Sequence, residues 1–594
     1  TKAPEKATMG GMLTGDFSAA RLANGNLVTI YDPATTRANP AGAGFVRTAF
    51  PGNVIPGNRI DPVARNVMKF FPAPNVAGVT ALGAINYTRT DGNVVPKDSW
   101  STRLDHNFGE KNRLFGRYSY DNTPFNRAPA YGEEFRSAAP TAGPQIFKRW
   151  NAVLEDTWLL SPTMVATGRY SATRLINFRR PYGDGFDVTS LGLPAYMREG
   201  MVDPVSFPAI TITGHSVTGS VPNIVVGGLI GATDLISFGN TQQAAQGNIT
   251  KTLTKHTLKF GGEYRVVQFN NQQVGDQATN FSFGPTWTQG PNPAASSATA
   301  GLGLATFLLG IPGGGVAPAP ALAQTNKYMA LFVQDTWKLT PKLTLNLGLR
   351  YDYETPRTDR FDQLSNFDFN ATSPLKAEGL TLLGGLVFPG VGGLSRYNAN
   401  PDRNNIAPRV GVAYKLTPKT VIRAGGGIFY AGLTGIGGGT GAFGVSGYAA
   451  TTAIVTSLDG VTPAVSWSNP YPTGFNRPTG SSLGLGTLVG QTVQFFDRSN
   501  YAPYSSQWNF NIQREMPRNI LFEVGYAGSR GVGLFENRQW NQLRPELLAQ
   551  GDSLRTQVAN PFFGQIRVGG LANRTVARAQ LQRPFPHFDG VAWQ

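Results

Sequence analysis

The chain has 594 residues and a net charge of +16, with only 15% charged residues, 11% aromatics, 72 glycines and 42 prolines. That length suits several soluble domains or one very large barrel, and the composition sets it apart from charge-rich helical enzymes and aromatic-poor disordered chains. With no cysteine, a disulfide framework, thiolate chemistry and cysteine-ligated metals are excluded.

No run of about eighteen apolar residues is present, so no transmembrane helix is predicted. The basic residues are scattered singly, without a basic run or a recognition helix, so the positive charge does not indicate nucleic acid. The beginning, TKAPEKATMG, lacks an initiator Met and an apolar signal core, and the end, HFDGVAWQ, is no obvious strand. Both predict a piece of a longer or processed polypeptide.

Residues 1–97 are dense in Gly, Pro and Asn and read as a loop-rich extracellular segment. One helix is predicted there. Asp61 can cap DPVARNVMKFF with Pro62 at the first helical position, Pro72 stops it, and Val63, Val67 and Phe70/Phe71 share a face suited to local packing.

From Asp98 the pattern changes to a period of two. Trp100, Thr102, Leu104, His106 and Phe108 alternate with polar residues, the chain turns at 109–112, and Leu114, Gly116, Tyr118 and Tyr120 alternate again. This is a long-armed β-hairpin. The same unit recurs at 150–174 (turn 160–163), 243–269 (turn 253–256), 328–354 (turn 339–342), 406–430 (turn 416–419) and 507–528 (turn 515–518). In the fourth hairpin, Leu343, Leu345, Leu347, Leu349, Tyr351 and Tyr353 fall on one face, with Thr344, Asn346, Gly348, Arg350 and Asp352 on the other. Tyr328/Ala330/Phe332 and Met329/Leu331/Val333 are both apolar, so alternation leaves the facing of that arm open.

Connections within hairpins are short and those between hairpins long. Short turns at one end and long loops at the other mark an outer-membrane barrel, with periplasmic turns and extracellular loops. The predicted fold is therefore all-β: a transmembrane antiparallel β-barrel, partial, with about twelve strands of a larger barrel visible. Its divisions are 1–97, the six hairpins of the wall at 98–530, and a truncated extracellular loop region at 531–594. An open edge in lipid is disallowed, which again suggests truncation.

Catalytic chemistry is not predicted. His106, His215, His256 and His587 lack metal-ligand spacing. The glycine-rich stretch 432–444 has a nominal GxGxxG without the strand–helix context of a phosphate cradle and reads as a loop. Asn86 and Asn370 lie in chance glycosylation sequons. The charges on strand faces are Arg103, Asp105, Arg117, Glu263, Arg265, Arg350, Asp352, Arg409, Arg423 and Glu523. These are expected to line the lumen as a lattice of ion pairs and hydrogen bonds, in preference to the other reading of them as contacts to a plug or a passing substrate.

Three segments, YMALFVQDTWKLTPKLTLNLGLRYDYE, NNIAPRVGVAYKLTPKTVIRAGGGIFY and SSQWNFNIQREMPRNILFEVGYAGSRG, resemble barrel segments of TonB-dependent outer-membrane transporters. The similarity is to the Oar-like branch of acidobacteria and myxobacteria, and FPGNVIPGNRIDPVARNVMKFFPAPN, DHNFGEKNRLFGRYSY and TLKFGGEYR extend it from about residue 15 onward. The resemblance implies a barrel of about twenty-two strands, a plug and a TonB-contacting segment, often behind a β-sandwich; this sequence shows none of the last three, nor a terminal aromatic strand signal.

The resemblance further implies a receptor in the outer membrane, in contact with its lipid, that moves a large, scarce siderophore, glycan or peptide. Loops 175–242, 270–326 and 431–505 would capture the substrate. Phe281, Trp287, Trp467 and Tyr471 are the aromatics that would stack on it or pack the loops together. No cofactor, metal or enzyme activity is implied. An adhesion or protein-export barrel without TonB coupling would share every strand and loop feature and lack only the plug.

Overall fold

The computed structural model describes residues 10–593 except 23, 74, 77–86, 201–205, 215–223, 227–234, 275–277, 296, 298, 319, 433–444, 500, 535 and 537. Twelve long strands form its frame: β1 (Asp98–Asn107), β2 (Asn112–Phe125), β3 (Gln145–Ser161), β4 (Met164–Arg179), β5 (Leu235–Thr252), β6 (His256–Val274), β7 (Leu322–Thr340), β8 (Leu343–Glu354), β9 (Asn405–Thr417), β10 (Thr420–Tyr430), β11 (Tyr504–Met516) and β12 (Ile520–Val532). Each lies antiparallel to its neighbour in sequence, in unbroken order. All six tight turns therefore share one end of the sheet, and 126–144, 180–234, 275–321, 355–404 and 431–503 leave from the other.

The register separates the faces cleanly. Leu104, Leu154, Tyr170, Tyr264, Met329 and Tyr353 follow one another across β1–β8, spaced by Gly116 and Ala245. Leu331, Leu349, Val410 and Phe510 stand exposed on the same outer face. An apolar face open to its surroundings on a sheet whose other face is polar is the lipid-facing surface of a membrane barrel.

Aromatics frame this belt. Toward the loops stand Trp100, Tyr120 and Trp150, with successive ring centroids 6.4 and 5.9 Å apart, and Tyr430 with Tyr504 at 5.6 Å. Trp158 and Trp337 stand toward the turns. Tyr353 pairs with Met329, and the eight steps from Met329 to Trp337 span ~27 Å along the strand, a rise of ~21 Å at a tilt of about 40°, which covers most of an apolar band about 25 Å tall.

Two arms are clearer in the structure than in the sequence. The first arm of the third hairpin runs from Leu235, not from 243. Its outer positions include Gln243, Ala245 and Gly247, which blur the alternation, yet Ala245 fits between Tyr170 and Tyr264. In β7, Met329, Leu331 and Val333 face outward. Tyr328 and Phe332 face inward, beneath the guanidinium groups of Arg265 (5.0 Å) and Arg350 (5.9 Å), so arginine, not lipid, covers these two rings.

At the loop end the connections pack into cores of their own. The predicted helix forms at Pro62–Met68, with the Asp61 carboxylate accepting from Val63 N at 2.7 Å and Ala64 N at 3.3 Å. Its buried Val63 and Val67 join one core with Phe17, Ile30, Phe207, Phe283 and Phe307, while Phe70 and Phe71 pack against it. Residues from Met12 to Phe71 thus contribute to the core of the cap. A small mixed sheet (209–212, 224–226, 280–283, 313–316, 452–453) runs through the cap. Buried Asn53 ties three segments together: it donates to Phe17 O (2.7 Å) and Val28 O (2.9 Å) and accepts from Ile30 N (2.7 Å). Further cores unite 367–388, 489–495 and 558–591.

Candidate functional site

All seven lumen candidates, Arg103, Asp105, Arg117, Arg350, Asp352, Arg409 and Arg423, fall on the polar face of the sheet, opposite the apolar belt. They form groups rather than one chain. On β1–β2, Asp105 accepts from Arg103 (2.7 Å) and Arg113 (2.9 Å), and Arg103 lies 4.3 Å over Phe115. Arg117 reaches Asn151 at 3.4 Å.

The densest group spans β6–β8. Arg350 bonds Asp352 at 2.9 Å, donates to the Tyr328 hydroxyl at 2.8 Å and lies 3.9 Å from Glu263. Glu263 also holds Arg265, and the Tyr328 hydroxyl donates to Asp352. Cross-strand pairs of this kind fix neighbouring strands and satisfy charge along a wet wall.

The wall changes character beyond β8. Gly348, Gly411, Gly425 and Gly427 occupy adjacent inward positions on β8, β9 and β10. Lacking side chains, Gly348 and Gly411 leave a hollow of about 440 Å³ whose lining includes Lys259, Phe332, Asn346, Arg350 and Arg409, while Gly425 and Gly427 open onto the next one. A second hollow of about 580 Å³ follows, bounded by Arg409, Phe429, Gln507 and Asn509. Arg409 lies 4.4 Å over the Phe429 ring. Arg350 is neutralised by Asp352, whereas Lys259 and Arg409 face the hollow without a carboxylate among the described residues. Neither the hollow nor the role of Lys259 was evident from sequence, because glycines align across strands only once the register is known.

The loop aromatics separate into two kinds. Phe281, Trp467 and Tyr471 are buried in the cap core; Trp467 packs on Phe283 at 4.6 Å, Phe307 at 5.2 Å and Phe281 at 5.5 Å. Of the two roles expected for these three, substrate stacking or loop packing, their burial in the cap core fits packing. Trp287 is half-buried, with the Arg47 guanidinium 6.0 Å from its ring.

Sequence reasoning missed Arg47. Its Nη1 donates to the carbonyls of Thr286 (3.0 Å), Trp287 (3.1 Å) and Gln289 (3.2 Å), and its Nη2 to Val461 O at 2.6 Å. Burial lowers its pKa. One arginine thus clamps residues 45–49 to two of the long loops.

Of the histidines, His106 packs on Phe108, and His256 bonds Asp335 at 2.7 Å and stacks on Trp337. His587 is buried, and burial holds its pKa below the usual imidazole value. No metal-holding cluster occurs among the described residues. His215, Asn86 and nearly all of the glycine-rich 432–444 stretch lie outside them.

A sheet with an apolar outer face, a polar inner face and packed loops at one end defines a membrane β-barrel protein. The chain belongs to the outer membrane beta-barrel domain family, whose model matches residues 5–593, and its place is the bacterial outer membrane. No curated protein matches it. Similar solved structures include the alcaligin outer-membrane receptor FauA from Bordetella pertussis (7% identity, TM-score 0.34, covering 76% of this chain and 45% of that one). The ferric-catecholate import receptor Fiu from Escherichia coli K12 is also similar (11%, 0.36, 76% and 52%). So is the ferric enterobactin receptor PfeA from Pseudomonas aeruginosa (11%, 0.35, 76% and 44%). The chain spans about half the length of these structures.

Proposed function

We propose that this chain is the wall and loop cap of a TonB-dependent outer-membrane receptor of the Oar-like type, which moves a large, scarce substrate through a plugged barrel. The observation that carries this reading is the inner wall: a continuous polar face with a glycine hollow beside Lys259 and Arg409, lying below a packed cap. Lys259 and Arg409 at the hollow, like Arg117 and Arg423 elsewhere on the inner face, have no carboxylate partner among the described residues, and this excess of positive charge favours an anionic substrate, such as a carboxylate-rich siderophore, an acidic glycan or an acidic peptide. The plug, the TonB-contacting segment and the strands that cover the edges of the sheet belong, on this reading, to polypeptide outside the sequence given.

The test is uptake by cells carrying the intact protein, with a panel of these three substrate classes. Transport of one class should require the inner-membrane proton gradient. It should also fall severalfold in the double variant Lys259→Gln/Arg409→Gln, with the heat-modifiable gel band unchanged. Transport that persists after the gradient collapses would remove TonB coupling.

A second reading has its own support. Phe281, Trp467 and Tyr471 are spent on internal packing, so the cap is a solid surface of the kind an adhesion or export barrel presents. Cell-surface attachment that survives loss of the gradient, without uptake of any panel member, would favour it.

A further inference from the structure

The six tight turns repeat a chemistry that neither the wall nor the cap uses. In five of them an apolar residue is followed two or three positions later by a cation: Phe108 and Lys111, Leu253 and Lys255, Leu339 and Lys342, Leu416 and Lys419, Met516 and Arg518. All five cations are exposed, as are four of the five apolar partners. The remaining turn has exposed Leu160 but Thr163 in the cation's place, and there the Lys251 ammonium donates to Thr163 Oγ1 at 2.8 Å. Each turn thus presents one positive charge beside one apolar side chain.

The turns are also locked into a row. The carbonyl at the same turn position accepts from the following hairpin five times over: Lys111 from Leu159 N (2.7 Å), Thr163 from Thr252 N (2.8 Å), Lys255 from Lys338 N (2.7 Å), Lys342 from Lys415 N (2.8 Å) and Lys419 from Glu515 N (2.8 Å). Successive turns stand two strands apart, so the cations recur about every 9.6 Å along the rim. Nearby carboxylates are engaged elsewhere, Asp105 with two arginines and Asp335 with His256. Glu110 and Glu515 are the acids left among the turn residues.

We infer that this rim is a binding ledge for anionic phospholipid in the leaflet that meets the turns. The apolar residues extend the lipid-facing belt past Trp158 and Trp337 into the edge of the hydrocarbon, and each lysine reaches outward along its aliphatic stem to a headgroup phosphate. The spacing slightly exceeds the Debye length of about 8 Å at physiological ionic strength, so neighbouring cations repel one another weakly and each can hold its own phosphate. A soluble acidic polymer would match the charges but leave the apolar partners in water. A lipid satisfies both.

The test uses the intact protein in a neutral detergent, with phosphatidylglycerol or phosphatidylcholine titrated in and retained lipid counted by native mass spectrometry. Phosphatidylglycerol should be retained over phosphatidylcholine by a factor of about ten or more, because each cation near an anionic surface adds to the attraction, and the preference should shrink as salt is raised. The variant Lys111→Gln/Lys255→Gln/Lys342→Gln/Lys419→Gln/Arg518→Gln should bring the two lipids within about twofold of each other, whereas exchanging lysine and arginine at the same five positions should preserve the preference. Equal retention of the two lipids by the unaltered protein would overturn the inference, as would an unchanged preference in a folded glutamine variant. So would displacement of phosphatidylglycerol by inorganic phosphate or polyglutamate at matched charge. If the glutamine variant fails to fold, the lipid comparison and its salt dependence in the unaltered protein decide. None of these outcomes depends on what the barrel transports, so this inference and the uptake reading fail separately.

Discussion

At the scale of single residues, His587 shows how burial sets a chemical property that the sequence did not disclose. Its Nε2 lies 3.2 Å from Gly384 O, its Nδ1 has no partner among the described residues, and it sits against Phe588. The neutral ring with its proton on Nε2 fits this site; the imidazolium would leave a buried N–H unsatisfied. The folded pKa therefore lies below the unfolded one. Between the two, the unfolded chain binds more protons, so stability is complete above the unfolded value of about 6.5 and is lost as pH falls toward the folded pKa. Hydrogen exchange should report this locally. After correction for intrinsic rates, amide protection in Leu383–Val387 should be level above pH 6.5 and decline below it, while His587→Gln should abolish the decline. A decline that persists in the variant would place the titration elsewhere. From the sequence this histidine shows only that it lacks metal-ligand spacing, because its Gly384 contact comes from more than two hundred positions away.

At the scale of elements, the hairpins were legible because lipid and lumen impose opposite demands on alternate residues. Leu343–Tyr353 declares its two faces at once. Leu322–Val333 did not, because Tyr328 and Phe332 turn inward and are covered by arginines from neighbouring strands, an arrangement no single strand can disclose. The facing now makes a sharp prediction. Leu349 pairs with Val333, midway along β7 between Met329 and Trp337, and so lies near the middle of the apolar belt. Leu349→Arg should cost about 2–4 kcal/mol of barrel stability, as expected for arginine on the lipid face at the bilayer midplane. Gln334→Arg, one residue from Val333 and facing inward, should cost under about 1 kcal/mol because water solvates the new charge. Urea unfolding in vesicles measures both. Equal costs would mean that the faces are misassigned.

At the scale of the whole molecule, the twelve strands make a sheet rather than a closed ring. β1 pairs only with β2 and β12 only with β11 among the described strands, and nearly every residue of both edge strands is exposed. In hydrocarbon each unpaired backbone group costs several kcal/mol, which is why spanning sheets close. The sequence announced this problem through its strand count. It could not show how the cap bears on it, because the cap's cores join segments hundreds of residues apart. That cap is built across the hairpin connections, with residues of 10–71 packed among loops from the first, second, third and fifth. Closing β1 directly onto β12 would make a twelve-stranded ring, whereas the additional strands of the proposed receptor would hold the two edges apart.

The absence of cysteine makes the choice testable with introduced pairs. Cysteines placed at Trp100, Thr102 or Leu104 on one edge, each combined with Phe522, Val524 or Tyr526 on the other, should give no disulfide in the intact protein in outer membranes. Thr102 with Tyr118, already register partners in β1 and β2, should cross-link readily as the positive control. A high yield from any edge-to-edge pair would mean that the twelve strands close on themselves, and the additional strands would then have no place in the wall.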